Sequence, residues 1–209
     1  MPMFRPRRAG AIRHLPTVLT LAAVVLVGLS GCLPGESYKY HGGVLDPVKA
    51  APPLDLTDQH GQPFSLANAG EQVRLIYFGY TICPDYCPTT LTDFMTVKEE
   101  LGDAANQVEF ILVTVDPERD TQARLQEYLA FFDPEFVGLR GDQAQTDAAL
   151  RGYGVFAQKS EQPGSATGYL VDHSTLIYVL DEKGNLRLTY PYGADPADIT
   201  EDVRHLLDD

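Results

Sequence analysis

Cysteine is scarce in this chain: Cys32, Cys83 and Cys87 are the whole complement. Three thiols exclude the densely cross-linked class of small secreted scaffolds, and a loop closed between residues 83 and 87 would remove little chain entropy. The close pair therefore points to chemistry rather than to stapling. Basic residues are scarce as well, 16 Lys and Arg against 29 Asp and Glu, for a net charge of −13. Phosphate repulsion excludes nucleic acid as a natural partner of such a surface, and the same sign opposes a peripheral grip on anionic lipid. Repeats and low-complexity runs are missing from Leu54 onward, and hydrophobic residues make up 44% of the chain, enough for one ordinary core.

Acidic residues are missing altogether from the first 31 positions, where Arg5, Arg7, Arg8 and Arg13 precede an apolar run from Leu15 to Leu29. A basic start, a short greasy middle and small residues at the end make a secretory signal too short for a comfortable membrane span. The run ends Leu29-Ser30-Gly31-Cys32, which resembles the lipobox of bacterial lipoprotein signals, in which the cysteine becomes the lipidated first residue after cleavage. Residues 1–31 are accordingly expected to be a lipoprotein signal peptide and Cys32 the lipidation site. Loss of four arginines and no acids takes the net charge from −13 to −17, so lipid on Cys32 would carry the attachment to the membrane. Residues 32–53 include Pro34, Gly35, Gly42, Gly43, Pro47, Pro52 and Pro53 and read as a flexible tether. The expected location is the extracytoplasmic or periplasmic side of a bacterial cell membrane, with a folded domain over 54–209.

Within that domain strands and helices alternate. Leu54–Thr57 and Pro63–Leu66 flank a turn and predict a hairpin. Arg74–Tyr80 and Val108–Val115 are dense β-branched and aromatic runs of the kind found in buried strands. Helical spacing marks Leu91–Leu101, Thr121–Phe132 and Thr146–Tyr153, with a short strand over Val137–Arg140. Leu176–Leu180 and Leu186–Tyr190 flank Asp181-Glu182-Lys183-Gly184-Asn185, a second hairpin signal, and Asp195-Pro196 opens a closing helix. A βαβ unit followed by a hairpin and a helix is the thioredoxin order. The expected class is α/β, with a central mixed sheet and helices on both faces.

The stretch Tyr77–Leu91 runs from the end of a buried strand into a helix, the usual ligand address in open α/β sheets. Two prolines constrain it: a helix beginning at Pro84 would put Pro88 where a backbone donor is needed, so the helix is expected to start at Pro88 with Cys87 as its cap. A helix N-terminus favours thiolate over thiol, and two thiolates held together favour either a disulfide or a soft cation, Cu(I) or Zn(II). Of five histidines, His14 lies in the signal, His41 in the tether, His60 in a turn and His205 on the acidic last helix. His173 lies directly before the strand that should enter beside the cysteine loop. Thioredoxins keep a cis-proline at that place; here no proline occurs between Gly164 and Tyr190. A structural histidine bonded to Asp172 is the competing account. Asp116 and Asp120, in the segment before the next helix, are open to two roles, with Asp120 or Thr121 as helix cap or an aspartate standing behind the metal ligands.

The stretches FGYTICPDYCP (78–88), VTVDPERDT (113–121) and DHS (172–174) occur in this order, and over roughly residues 50–207 the chain resembles the Sco/SenC copper proteins of cytochrome c oxidase assembly. That resemblance implies a thioredoxin-like fold and copper, as Cu(I) or Cu(II), on Cys83, Cys87 and His173. It further implies a partner: the copper-receiving subunit of cytochrome c oxidase, or another copper protein, to which copper is delivered or whose receiving cysteines are reduced. The residues leave a second class open, a membrane-anchored thiol–disulfide oxidoreductase cycling Cys83 and Cys87. Against it stand the three-residue spacing and the missing proline.

Overall fold

A computed structural model describes residues 38–208, apart from 69, 165 and 166, together with Met1 and Met3. The expected signal peptide and Cys32 lie outside the described residues. The chain divides into two units, Met1–Lys39 and Tyr40–Asp209, and every element below belongs to the second.

Among the described residues ten strands and four α-helices follow in order: β1 Gly43–Ala50, β2 Asp55–Asp58, β3 Pro63–Ser65, β4 Val73–Gly79, α1 Tyr86–Leu101, β5 Val108–Thr114, α2 Gln122–Phe132, β6 Val137–Arg140, α3 Gln143–Tyr153, β7 Ala157–Glu161, β8 Tyr169–His173, β9 Ile177–Leu180, β10 Asn185–Tyr190 and α4 Pro196–Asp208. Eight strands form one sheet in the order β1-β10-β9-β4-β5-β6-β2-β3, and β7 and β8 form a separate hairpin. The centre, β4-β5-β6, is parallel, and the remaining ladders are antiparallel.

Every residue of β4 is buried and nearly all of β5, because helices cover both faces of the parallel centre. Side chains alternate along β4. Phe78 meets Tyr153 of α3 at 5.2 Å between ring centroids, while Tyr77, on the other face, meets Cys87 of α1. On the α1 side, Phe94 stacks with Phe110 at 5.5 Å, and Phe110 with Phe136 at 5.3 Å. Burial of each such ring stabilises the fold by about 1.5–3 kcal/mol.

Three expectations change. β1 lies inside the segment read as a tether and pairs with β10, so the folded unit starts near Tyr40 rather than at Leu54. Its side chains are almost all exposed, which is why no hydrophobic alternation marked it. The β7–β8 hairpin also went unmarked, because β7 (AQKSE) is polar. Finally, α1 begins at Tyr86, not Pro88, so Cys87 sits in the first turn instead of capping it. Pro88 is tolerated there because a first-turn nitrogen has no intrahelical acceptor to lose.

Candidate metal centre

The site sits at the carboxyl end of β4. The Cys83 N–H donates to the Tyr80 carbonyl at 3.3 Å, which curls the loop back over the helix start. The Cys87 N–H, one of the first-turn donors without an intrahelical acceptor, donates to Cys83 Sγ at 3.4 Å. The hydrogen bond from the Cys87 side chain does most to acidify Cys83. Burial opposes it, and His173 and the backbone N–H groups of Asp85 and Cys87 add to it, bringing the thiol to about 4. Cys87 shifts the opposite way: burial first, then the neighbouring Cys83, push its thiol up. Metal-free, the pair is a thiolate backed by a thiol.

Gly79 makes room for Cys87. A Cβ there would stand 2.9 Å from Cys87 Sγ and 2.8 Å from the Tyr77 ring, closer than real contacts allow. Tyr77 donates its hydroxyl to Cys87 Sγ at 3.8 Å and is kept protonated, chiefly by burial.

His173 ends β8. Its Nδ1 lies 2.8 Å from the Ser174 carbonyl, which can only accept, so Nδ1 carries a proton, and Nε2, the ring nitrogen left to ligate, stands 3.6 Å from Cys87 Sγ. The competing account, a histidine bonded to Asp172, is not what the ring does. The rings of Tyr77 and Tyr80 stand edge-on to the imidazole at 6.0 and 5.8 Å, and the Val171 N–H donates to Tyr80 Oη at 3.1 Å, tying β8 to the loop. One ligand atom from each of Cys83, Cys87 and His173 falls within 4.8 Å of the others, the one such cluster among the described residues. A cavity of about 190 Å³ beside it is lined by Tyr80, Cys83, Asp85, Tyr86, Asp172 and His173. Two sulfurs and an imidazole nitrogen suit a soft or borderline cation, Cu(I) or Zn(II), and fit magnesium or calcium poorly. His41, by contrast, lies against Asp198 and Glu201, each ring nitrogen at 3.3 Å from a different carboxylate.

The aspartates divide their roles. Thr121 caps α2, accepting from the Arg124 N–H at 3.2 Å. Asp120 is buried and accepts from the Thr81 hydroxyl at 2.6 Å, the Thr81 N–H at 3.1 Å and the Thr114 hydroxyl at 2.6 Å. It thus anchors the cysteine loop two residues before Cys83. Sequence reasoning missed Tyr77, Gly79 and Thr81 as parts of the site; an aromatic-rich strand end next to the cysteines was the available signal for the first.

The family described as SCO1/SenC matches residues 45–208. An SCO2-like protein of Rickettsia conorii is 32% identical over 160 residues, covering 77% of this chain and 78% of the relative. Copper-bound ScoI of Bradyrhizobium japonicum superposes with a TM-score of 0.69 at 36% identity, over 76% of this chain and 99% of that one. Apo Sco1 of Thermus thermophilus superposes at 0.72 and 35% identity, over 82% and 99%. With the thioredoxin-like arrangement and nearly the whole folded unit matched, the chain belongs to the SCO1/SenC family.

Proposed function

We propose that this protein is a copper metallochaperone. It holds one copper ion through Cys83, Cys87 and His173 and passes it to the dinuclear copper centre of cytochrome c oxidase, or prepares the cysteines that receive it. In this reading the protein is held by lipid on Cys32 at the extracytoplasmic face of a bacterial membrane. The observation that carries it is the convergence of two sulfurs and the imidazole Nε2 beside an open cavity. Copper is cargo here. The residues supply a soft donor set, a histidine fixed in the ligating tautomer and an open side through which an acceptor can reach the ion. Copper-bound relatives at more than 25% identity support the choice of copper over zinc.

One observation favours a second reading. A Cys83 thiolate backed by a protonated Cys87 is also the arrangement of a thiol–disulfide exchanger. Cys83 would attack a partner disulfide and expel one partner thiolate. Cys87, once deprotonated, would then displace the second and leave a Cys83–Cys87 disulfide with a fully reduced partner. Anaerobic copper titration separates the two. The reduced protein is expected to take up one Cu(I) per chain, and Cys83→Ser or Cys87→Ser should each abolish tight binding, since one thiolate and one imidazole make a poor chelate. Undiminished loading in either variant would move the site elsewhere and favour the exchanger.

A further inference from the structure

The turn 116–120 touches none of the three ligand atoms, yet it holds both halves of the site. It is itself fixed to the sheet by Arg140, at the end of β6, whose Nε donates to the Asp120 carbonyl at 3.0 Å and whose Nη2 donates to the Pro117 carbonyl at 3.2 Å. Asp120 reaches one way, to Thr81 in the cysteine loop. Arg119 reaches the other way, to the hairpin that ends in His173. Its Nη1 donates to the carbonyls of Thr167 and Tyr169 at 3.0 and 2.8 Å. Its guanidinium lies 3.5 Å above the Tyr169 ring and 5.8 Å from the Tyr80 ring. Its Nε donates to Asp116, and Tyr169 Oη donates to the same carboxylate at 2.9 Å. Nη2 is buried without a hydrogen-bond partner, and the guanidinium as a whole is stabilised by the Tyr169 ring it lies on. Tyr80 completes the circuit, packing edge-on against His173 and accepting from the β8 backbone.

β8 belongs to a two-stranded hairpin, outside the main sheet, so the large ladder does not fix the position of His173. A two-stranded ribbon is marginal by itself. We infer that Arg119 is the positioning residue for His173: with Asp116 and Tyr169 it locks the β7–β8 hairpin at the distance from Cys83 and Cys87 that a shared ion requires. The exposed Lys159–Glu118 pair, at 2.6 Å, joins the same two segments but adds little, since exposed pairs are weak. The guanidinium is specific to the task. Only a planar fork can donate to a carboxylate and two carbonyls while lying flat on a ring, and a lysine offers charge alone.

This inference rests on His173 being a ligand, and a double-mutant cycle on the full chain keeps the two claims apart. Copper(II) affinity is measured by chelator competition for the wild type, Arg119→Lys, His173→Ala and the double variant, with the charge-transfer spectrum of each recorded. Arg119→Lys is expected to weaken Cu(II) roughly 10- to 100-fold, the usual effect of losing a group that orients a ligand, and to alter the spectrum. In the His173→Ala background the same change is expected to do almost nothing, because Arg119 acts through the imidazole. Full additivity, or an unchanged affinity in Arg119→Lys, would overturn the positioning role while leaving the metal site standing. An unchanged affinity in His173→Ala would instead remove the ligand assignment and the positioning role with it. Should Arg119→Lys fail to fold, Tyr169→Phe decides the matter: it keeps the ring under the guanidinium and deletes the hydroxyl that bonds Asp116. A smaller loss with the same non-additivity supports the role, and additivity or no loss overturns it.

Discussion

Cys83 and Cys87 are four residues apart and chemically unlike, and the cause is local. Cys83 faces a hydrogen bond from Cys87 and backbone donors at the start of α1, whereas Cys87 is buried against Gly79 and Tyr77. Against an ordinary thiol value of 9.0, Cys83 falls to about 4 in the fold. The folded chain therefore holds fewer protons than the unfolded one between those values. The stability that ionised Cys83 contributes is full above pH 9 and is lost as the pH falls through about 4. In the reduced, metal-free protein, alkylation of Cys83 by iodoacetamide, followed by mass spectrometry, is expected to inflect near pH 4 and to leave Cys87 largely untouched. An inflection near 9 would contradict the acidified thiolate. The sequence placed both thiols at a helix N-terminus, and that much was readable from two prolines and a strand. Which thiol would ionise was not readable, because it depends on the Cys87 side chain donating to Cys83 and on the burial of Cys87, which spacing along the chain does not record.

β1 and the central strands are held in different ways. β4 and β5 were legible because both faces are buried and every position is apolar or close to it. β1 is an edge strand held by its backbone and by what precedes it. Asp202, fully buried on α4, accepts from the N–H groups of His41 and Gly42, at 2.9 Å each, and from the hydroxyl of Tyr190. Gly42 lies so close over the Tyr190 ring that a Cβ would sit 2.8 Å from it. Removing the carboxylate leaves these donors without their acceptor, so Asp202→Ala is expected to cost roughly 2–3 kcal/mol. Chemical denaturation checks the magnitude, and amide exchange in residues 43–50 should accelerate more than in β4 or β5. A loss confined to α4, with β1 exchange unchanged, would show that Asp202 does not fasten the strand. Such a contact links residues some 160 positions apart, and no local pattern announces it. The hairpin carrying His173 was hidden for a related reason: β7 is polar, and the hairpin is held through β8 by Arg119 and Tyr80, contacts between residues far apart in sequence.

Across the whole molecule, the acidic balance and the placement of the site act together. The 29 acidic against 16 basic residues repel phosphates and anionic membranes and are compatible with a partner presenting positive charge, a term that weakens with salt. In the proposed function, attachment to a membrane then falls to lipid on Cys32. Among the described residues no helix is long and apolar enough to cross a membrane. Cys32→Ser is expected to shift the protein from the membrane to the soluble extracytoplasmic fraction and to abolish the lipid mass on the mature N-terminus; an unchanged distribution and mass would exclude the anchor. The family and the α/β order were legible from three short stretches, because each marks a place where backbone geometry and chemistry coincide. In the proposed function Cys83, Cys87 and His173, supplied by those stretches, bind one ion together. X-ray absorption at the copper edge of the Cu(I)-loaded protein tests it most directly. Two sulfur neighbours and one imidazole nitrogen per copper are predicted, and a shell of sulfur alone, or one without sulfur, would contradict the site.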